Sequence, residues 1–195
     1  MHRTARTIRR TLAVLALVGV VTACGDDDDT AAPTSETTAA DDTVDDAVDD
    51  SSTLEVTAVD YGYEGLPASV EAGTRLSVRN SSPNEIHELV AFRIPDDEAR
   101  SIDELVALPP DELLGLVGPE PTMVLLAPPG GDQIAAVGDG TVSEPGRYGI
   151  ICVIPTGADP VEYLEASAAS EGGPPEVDGG PPHITQGMFA EFVVE

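Results

Sequence analysis

From Ser52 onward, apolar and polar residues alternate in short runs. Leu54, Val56 and Ala58 alternate with Glu55 and Thr57, the signature of a half-buried strand. Similar runs recur at 68–70, 75–78, 86–94, 123–127, 133–137, 148–154 and 189–194. Turn signals separate them: Ala72-Gly73-Thr74, Pro128-Pro129-Gly130-Gly131 and Glu144-Pro145-Gly146. Short strands at this spacing predict an all-β domain over 53–195, a Greek-key β-sandwich. A domain of that length buries enough surface to fold without disulfides.

Two segments break the rhythm. Between Asp96 and Val117, Ile102, Leu105, Val106, Leu108, Leu113, Leu114 and Leu116 are spread among acids, which predicts one or two short helices crossing between strands. Asp159-Pro160 predicts a second helical insertion, outside the sandwich. Aspartate suits the N-cap and proline the first turn, while Gly172-Gly173 stops the run. The stretch 173–182 reads as a Gly/Pro-rich loop.

The first 52 residues follow a different logic. Arg3, Arg6, Arg9 and Arg10 form a basic start, and Thr11 to Ala23 form an apolar run too short to span a bilayer comfortably. This is an export signal over 1–23. It ends in Val21-Thr22-Ala23-Cys24, which resembles the lipobox of bacterial lipoproteins. That resemblance implies a lipid-modified Cys24 and an anchor on the extracytoplasmic face of the cell membrane. A plain secretory signal with an incidental cysteine is the alternative. Residues 24–52 carry runs such as Asp26-Asp27-Asp28-Asp29 and no base. They hold too little apolar area to offset chain entropy, so a disordered acidic tether is expected.

Charge narrows the partners. Removing the leader leaves 5 basic and 36 acidic side chains, a formal charge of −31. Such a surface repels nucleic acid and anionic headgroups, which excludes nucleic-acid binding and polybasic membrane docking.

Scarcity singles out the candidate chemistry. Beyond the leader the histidines are His87 and His183, the methionines Met123 and Met188, and the thiol not claimed by the lipobox is Cys152. A lone cysteine in an exported protein is exposed to oxidation or pairing, so something should protect or occupy it. Taken singly, Cys152 could be a small buried hydrophobe, Met188 core filler and His87 a hydrogen-bonded strand histidine.

Together with their surroundings these residues resemble the cupredoxins, the type 1 blue copper proteins. Asn80-Ser81-Ser82-Pro83-Asn84-Glu85-Ile86-His87-Glu88-Leu89-Val90 is similar to the segment that supplies the family's first copper histidine. Pro145-Gly146-Arg147-Tyr148-Gly149-Ile150-Ile151-Cys152 resembles its penultimate strand, and His183-Ile184-Thr185-Gln186-Gly187-Met188 its last ligand loop. The resemblance implies one copper ion held by the Cys152 thiolate and the His87 and His183 imidazoles, with Met188 as axial thioether. A soft thiolate, two imidazoles and a weak thioether suit both copper oxidation states, which is what electron transfer needs.

Two departures stand out. Thirty residues separate Cys152 from His183, where the family has a few. That is tolerable if the excursion's ends meet, because closure cost grows logarithmically with length. Glu88 follows the first histidine, where small members often carry an asparagine that ties the ligand loops together.

The expectation is thus a membrane-anchored, monomeric electron-transfer protein with a redox partner at the membrane surface. A copper-free binding or structural module of the same fold is the alternative, and a copper carrier or store a weaker one. No enzyme is expected, since multicopper oxidases and copper reductases need many more histidines.

Overall fold

The computed structural model describes residues 52–170 and 173–195. The signal segment, Cys24 and nearly all of the tether lie outside the described residues. Ser52 belongs to the folded part, since its carbonyl accepts from the Arg75 N–H at 2.9 Å.

Ten strands form two mixed sheets: β1 (Thr53–Val59), β2 (Gly62–Glu64), β3 (Ser69–Val70), β4 (Thr74–Asn80), β5 (His87–Ile94), β6 (Met123–Ala127), β7 (Ile134–Val137), β8 (Thr141–Val142), β9 (Gly146–Ile151) and β10 (Phe189–Val194). The smaller sheet runs β2-β1-β4-β8 and the larger β3-β10-β9-β5-β6-β7. In the larger sheet β5, β6 and β7 form an antiparallel meander, and β9 returns to pair with β5. That return is the Greek key expected for the sandwich. Two strands had no counterpart in the sequence pattern, β2 and β8, which are 3 and 2 residues long.

The main core lies between the sheets. Val56, Ala58, Leu76 and Val78 from the smaller sheet meet Leu89, Ala91, Leu125, Tyr148, Ile150 and Phe192 from the larger. Tyr148 stacks on Phe192, its cross-strand partner, with ring centroids 5.4 Å apart. A second cluster covers the outer face of the larger sheet. There Ile102 and Leu105 of α1 (Ile102–Val106) and Leu113 of α2 (Pro110–Val117) pack with Phe92, Ile94 and Ile151. These are the two short helices expected between strands, and they explain why β5 is apolar on both faces. Gly149 makes the approach possible: a Cβ there would lie 2.6 Å from the Phe92 ring and 2.8 Å from Ile102.

The third helix, α3 (Pro160–Ala169), starts at the expected proline. Asp159 caps it, accepting from the Val161 and Glu162 N–H groups at 3.0 Å. It ends with Ser170 as its C-cap, two residues before the diglycine expected to stop it.

Candidate metal centre

Three segments meet at one end of the sandwich. His87 opens β5, opposite Ala127 of β6. Cys152 directly follows β9, and its N–H donates to the Met188 carbonyl at 3.2 Å, just before β10. His183 begins a short 3-10 helix, His183–Gln186. Gly187 ends that turn with φ +102°, a conformation that glycine adopts without strain. The Met188 N–H then donates back to the His183 carbonyl at 3.1 Å.

The 30-residue excursion leaves and returns along itself. The His183 N–H donates to the Ile154 carbonyl at 3.0 Å and the Ile184 N–H to the Cys152 carbonyl at 2.8 Å. Thr156 extends the stitching: its N–H and hydroxyl both donate to the Pro181 carbonyl, and its own carbonyl accepts from the Gly180 N–H. The outgoing and incoming chains are therefore paired near the site, and α3 lies between them in sequence. This is how His183 comes back to Cys152.

His87, Cys152 and His183 are all fully buried, and their donor atoms lie within 4.8 Å of one another. The two Nδ1 atoms are 3.3 Å apart, and the Cys152 Sγ is 3.3 Å from the His183 Nδ1. Burial, aided by the Glu88 charge, pushes the Cys152 thiol far up from its ordinary range. Burial also lowers His87 to about 4, with His183 beside it adding to the shift, and burial lowers His183 as well. Both rings are thus neutral, with lone pairs available, and the sulfur is a protonated thiol until a cation displaces the proton. One soft sulfur and two imidazole nitrogens, shut off from water, suit one type 1 copper ion. Met188 is buried and its main chain is tied to both Cys152 and His183.

Carboxylates and tyrosines surround these residues, and of them the sequence singled out Glu88. Glu88 is buried, and its carboxylate accepts from the Val153 N–H at 3.0 Å and the Tyr163 hydroxyl at 3.4 Å. It therefore ties the segment that carries His87 to the excursion. Burial raises Glu88 to about 7. Its carbonyl accepts from the Tyr63 hydroxyl at 2.5 Å. The Glu85 Oε2 lies 3.2 Å from the His183 Nε2 and accepts from the Gly157 N–H at 3.0 Å. Asp60 lies 3.8 Å from the His87 Nε2, too far for a hydrogen bond, and that nitrogen has no hydrogen-bond partner among the described residues. Tyr61 meets the His183 ring edge-on at 5.3 Å. It sits at φ +64°, in the left-handed region that bulky residues avoid, within the tight β1–β2 turn. The Asp60-Tyr61-Gly62 turn was the one local signal that could have drawn attention to this edge.

No protein-family model matches the chain, and no curated protein is significantly similar to it. Among solved structures it is similar to a dithionite-reduced auracyanin from the photosynthetic bacterium Roseiflexus castenholzii. The identity is 21%, over 74% of this chain and 98% of that one, with a TM-score of 0.41. Auracyanin A, a blue copper protein from the green thermophilic photosynthetic bacterium Chloroflexus aurantiacus, matches at 15% identity over 73% and 98%, with a TM-score of 0.38. Auracyanin B matches at 18% identity over 74% and 88%, with a TM-score of 0.35. The chain's own structure has the two-sheet sandwich and the His-Cys-His cluster that the resemblance to cupredoxins implied.

Proposed function

We propose that the domain over 53–195 is a cupredoxin that would hold one copper ion through the Nδ1 atoms of His87 and His183, the Sγ of Cys152 and the Met188 thioether, and that it transfers electrons. The observation that carries this reading is the convergence of three fully buried donors from segments far apart in sequence. When bound, copper supplies one-electron redox chemistry between two oxidation states. The protein's part is positional. Cys152 would give up its thiol proton on loading, and the two imidazoles already bring their Nδ1 atoms to within 3.3 Å of each other. Main-chain bonds from Cys152 to Met188 and from Met188 to His183 limit how far the donors can move. A site that moves little on changing charge exchanges electrons quickly.

The remainder of the reading concerns location. Cys24 carries lipid, 24–52 is the acidic tether, and the domain works as a monomer on the extracytoplasmic face of the membrane with a redox protein as partner. A neutral flexible chain of the tether's length spans roughly 30 Å, and mutual repulsion of its acids lengthens it. Two or more acyl chains are needed for stable anchoring, since each buried CH₂ contributes only about 0.8 kcal/mol.

The test is copper addition to the purified protein. An intense visible thiolate-to-copper absorption and a higher melting temperature are expected. Cys152→Ser should abolish the colour, whereas Met188→Leu should keep it and change the potential. Weak, colourless copper binding by wild type would leave a copper-free module of the same fold. Cell fractionation tests the anchor: wild type partitions with membranes, and Cys24→Ala does not mature there.

A further inference from the structure

We infer that Glu85 is the positioning residue of this centre: its carboxylate holds the proton of His183 on Nε2, which keeps Nδ1 free to face the metal, and fixes the ring to the start of the excursion. The inference rests on the copper reading for its purpose, but its geometry stands without metal.

The His183 ring has two nitrogens with different neighbours. Nδ1 faces the other donors, with the Cys152 Sγ and the His87 Nδ1 each 3.3 Å away. Nε2 faces the Glu85 Oε2 at 3.2 Å. A carboxylate only accepts, so this contact is a hydrogen bond only if Nε2 carries the proton. The neutral ring has one proton, so Nδ1 is then the lone-pair nitrogen. The same Oε2 accepts from the Gly157 N–H at 3.0 Å, which orients the carboxylate. Glu85 is itself placed from the other side, because the Asn80 side chain donates to its carbonyl at 2.8 Å. His183, on the incoming arm of the excursion, and Gly157, on its outgoing arm, are therefore bridged by one oxygen from the segment that carries His87.

The second imidazole provides an internal contrast. His87 has Asp60 at 3.8 Å from Nε2, beyond hydrogen-bond reach. Its position is set by the β5–β6 pairing instead, where it lies opposite Ala127. His87 is held by a sheet, whereas His183 sits on a single 3-10 turn and needs a side-chain partner. Partners of this kind on a metal-binding histidine typically change affinity 10–100-fold when removed.

The experiment compares wild type, Glu85→Leu and Glu85→Gln in the full chain. Glutamine keeps an oxygen that can accept from both N–H groups but lacks the charge. Imidazole ¹⁵N NMR on the metal-free protein, above the usual histidine range, should show His183 as the Nε2–H tautomer in wild type and in Glu85→Gln. Glu85→Leu should lose that preference. In Cu(II) titrations against a competing chelator, Glu85→Leu should bind about 10–100-fold more weakly with an altered visible band. Glu85→Gln should keep the band and raise the potential, because a negative charge beside the site is gone. Glu85→Leu with the wild-type tautomer and band would overturn the inference, as would Glu85→Gln behaving like Glu85→Leu. Failure of the copper reading looks different: wild type itself would then show no intense band, while the tautomer measurement still decides the role of Glu85.

Discussion

Two segments leave the sandwich through helices: 95–122, between β5 and β6, and 152–188, between β9 and β10. The first is attached by apolar burial. A capping box between Ser101 and Glu104 starts α1, and Ile102, Leu105 and Leu113 are pressed onto Phe92, Ile94 and Ile151. The second also buries apolar side chains, Ile154, Ala158, Tyr163 and Met188, in the main core, and adds directional polar contacts around the site. In α3 only Tyr163 is buried, and its hydroxyl points to Glu88. Val153 bonds to Glu88, and Gly157 and His183 share Glu85. Apolar attachment is non-directional and tolerates small displacements. Hydrogen bonds weaken steeply with angle and distance, so they set position. Both segments add buried apolar surface, and the second also carries the hydrogen bonds that reach His183 and its neighbours.

The largest effect should come from breaking the apolar attachment. Leu105→Ala is expected to lower unfolding free energy by about 2–5 kcal/mol in chemical denaturation. The visible absorption of the copper form should be unchanged. If the variant loses colour as well as stability, the two excursions are not separable.

A smaller effect comes from acid–base linkage in the metal-free protein. Burial holds Glu88 at about 7 against an ordinary 4.5. Between those values the folded state keeps a proton that the unfolded chain releases, so this contribution to stability falls as pH rises. His87 works in the opposite sense. Lowered from 6.5 to about 4, it remains neutral while the unfolded chain takes a proton, so stability is lost as pH falls through that window. Each is worth at most about 3 kcal/mol. The Glu88 slope opposes those of His87 and His183, which burial also lowers, so it flattens the wild-type profile where the windows overlap. Glu88→Gln should expose the rising slope of the two buried histidines, and an unchanged profile would count against the buried carboxylate. In the first excursion Glu98, depressed to about 2 by its hydrogen bonds to Arg100, titrates only at more acid pH. Its contribution is present above 4.5 and is lost as pH falls towards 2.

The smallest effect tests the local start of the second excursion. Asp159→Ala removes the acceptor for two N–H groups and should cost about 1 kcal/mol. Because Glu85 and Glu88 hold the ligand end independently of α3's first turn, the copper band should stay. A shift of the band would show that the cap also positions His183.

Much of this molecule was legible along the chain. Period-two alternation located the longer strands, and Asp159-Pro160 located the start of α3, because these signals depend on neighbours a few residues apart. Strands β2 and β8, three and two residues long, are too short to show a period, and the equally short β3 was found only because the Ala68-Ser69-Val70 run precedes a turn signal. Scarcity singled out His87, Cys152 and His183, since so few residues of those types were available.

Glu85, Tyr61 and Tyr163 had no such mark, and Glu88 stood out only as a departure from the resembled pattern. Two particular carboxylates among 36 acids look like solvated surface in a chain this acidic. Their roles arise where Glu85 meets His183, 98 positions on, and where Glu88 meets Tyr163, 75 positions on. The sequence alone determined which elements form and which donor atoms are available, because backbone periodicity, caps and ligand chemistry are properties of short segments. Only the tertiary structure decided which nitrogen of His183 faces the donor cluster and which carboxylates hold the excursion in place. Those contacts join segments far apart in the chain, and the folded sheets are what bring their atoms within hydrogen-bond distance.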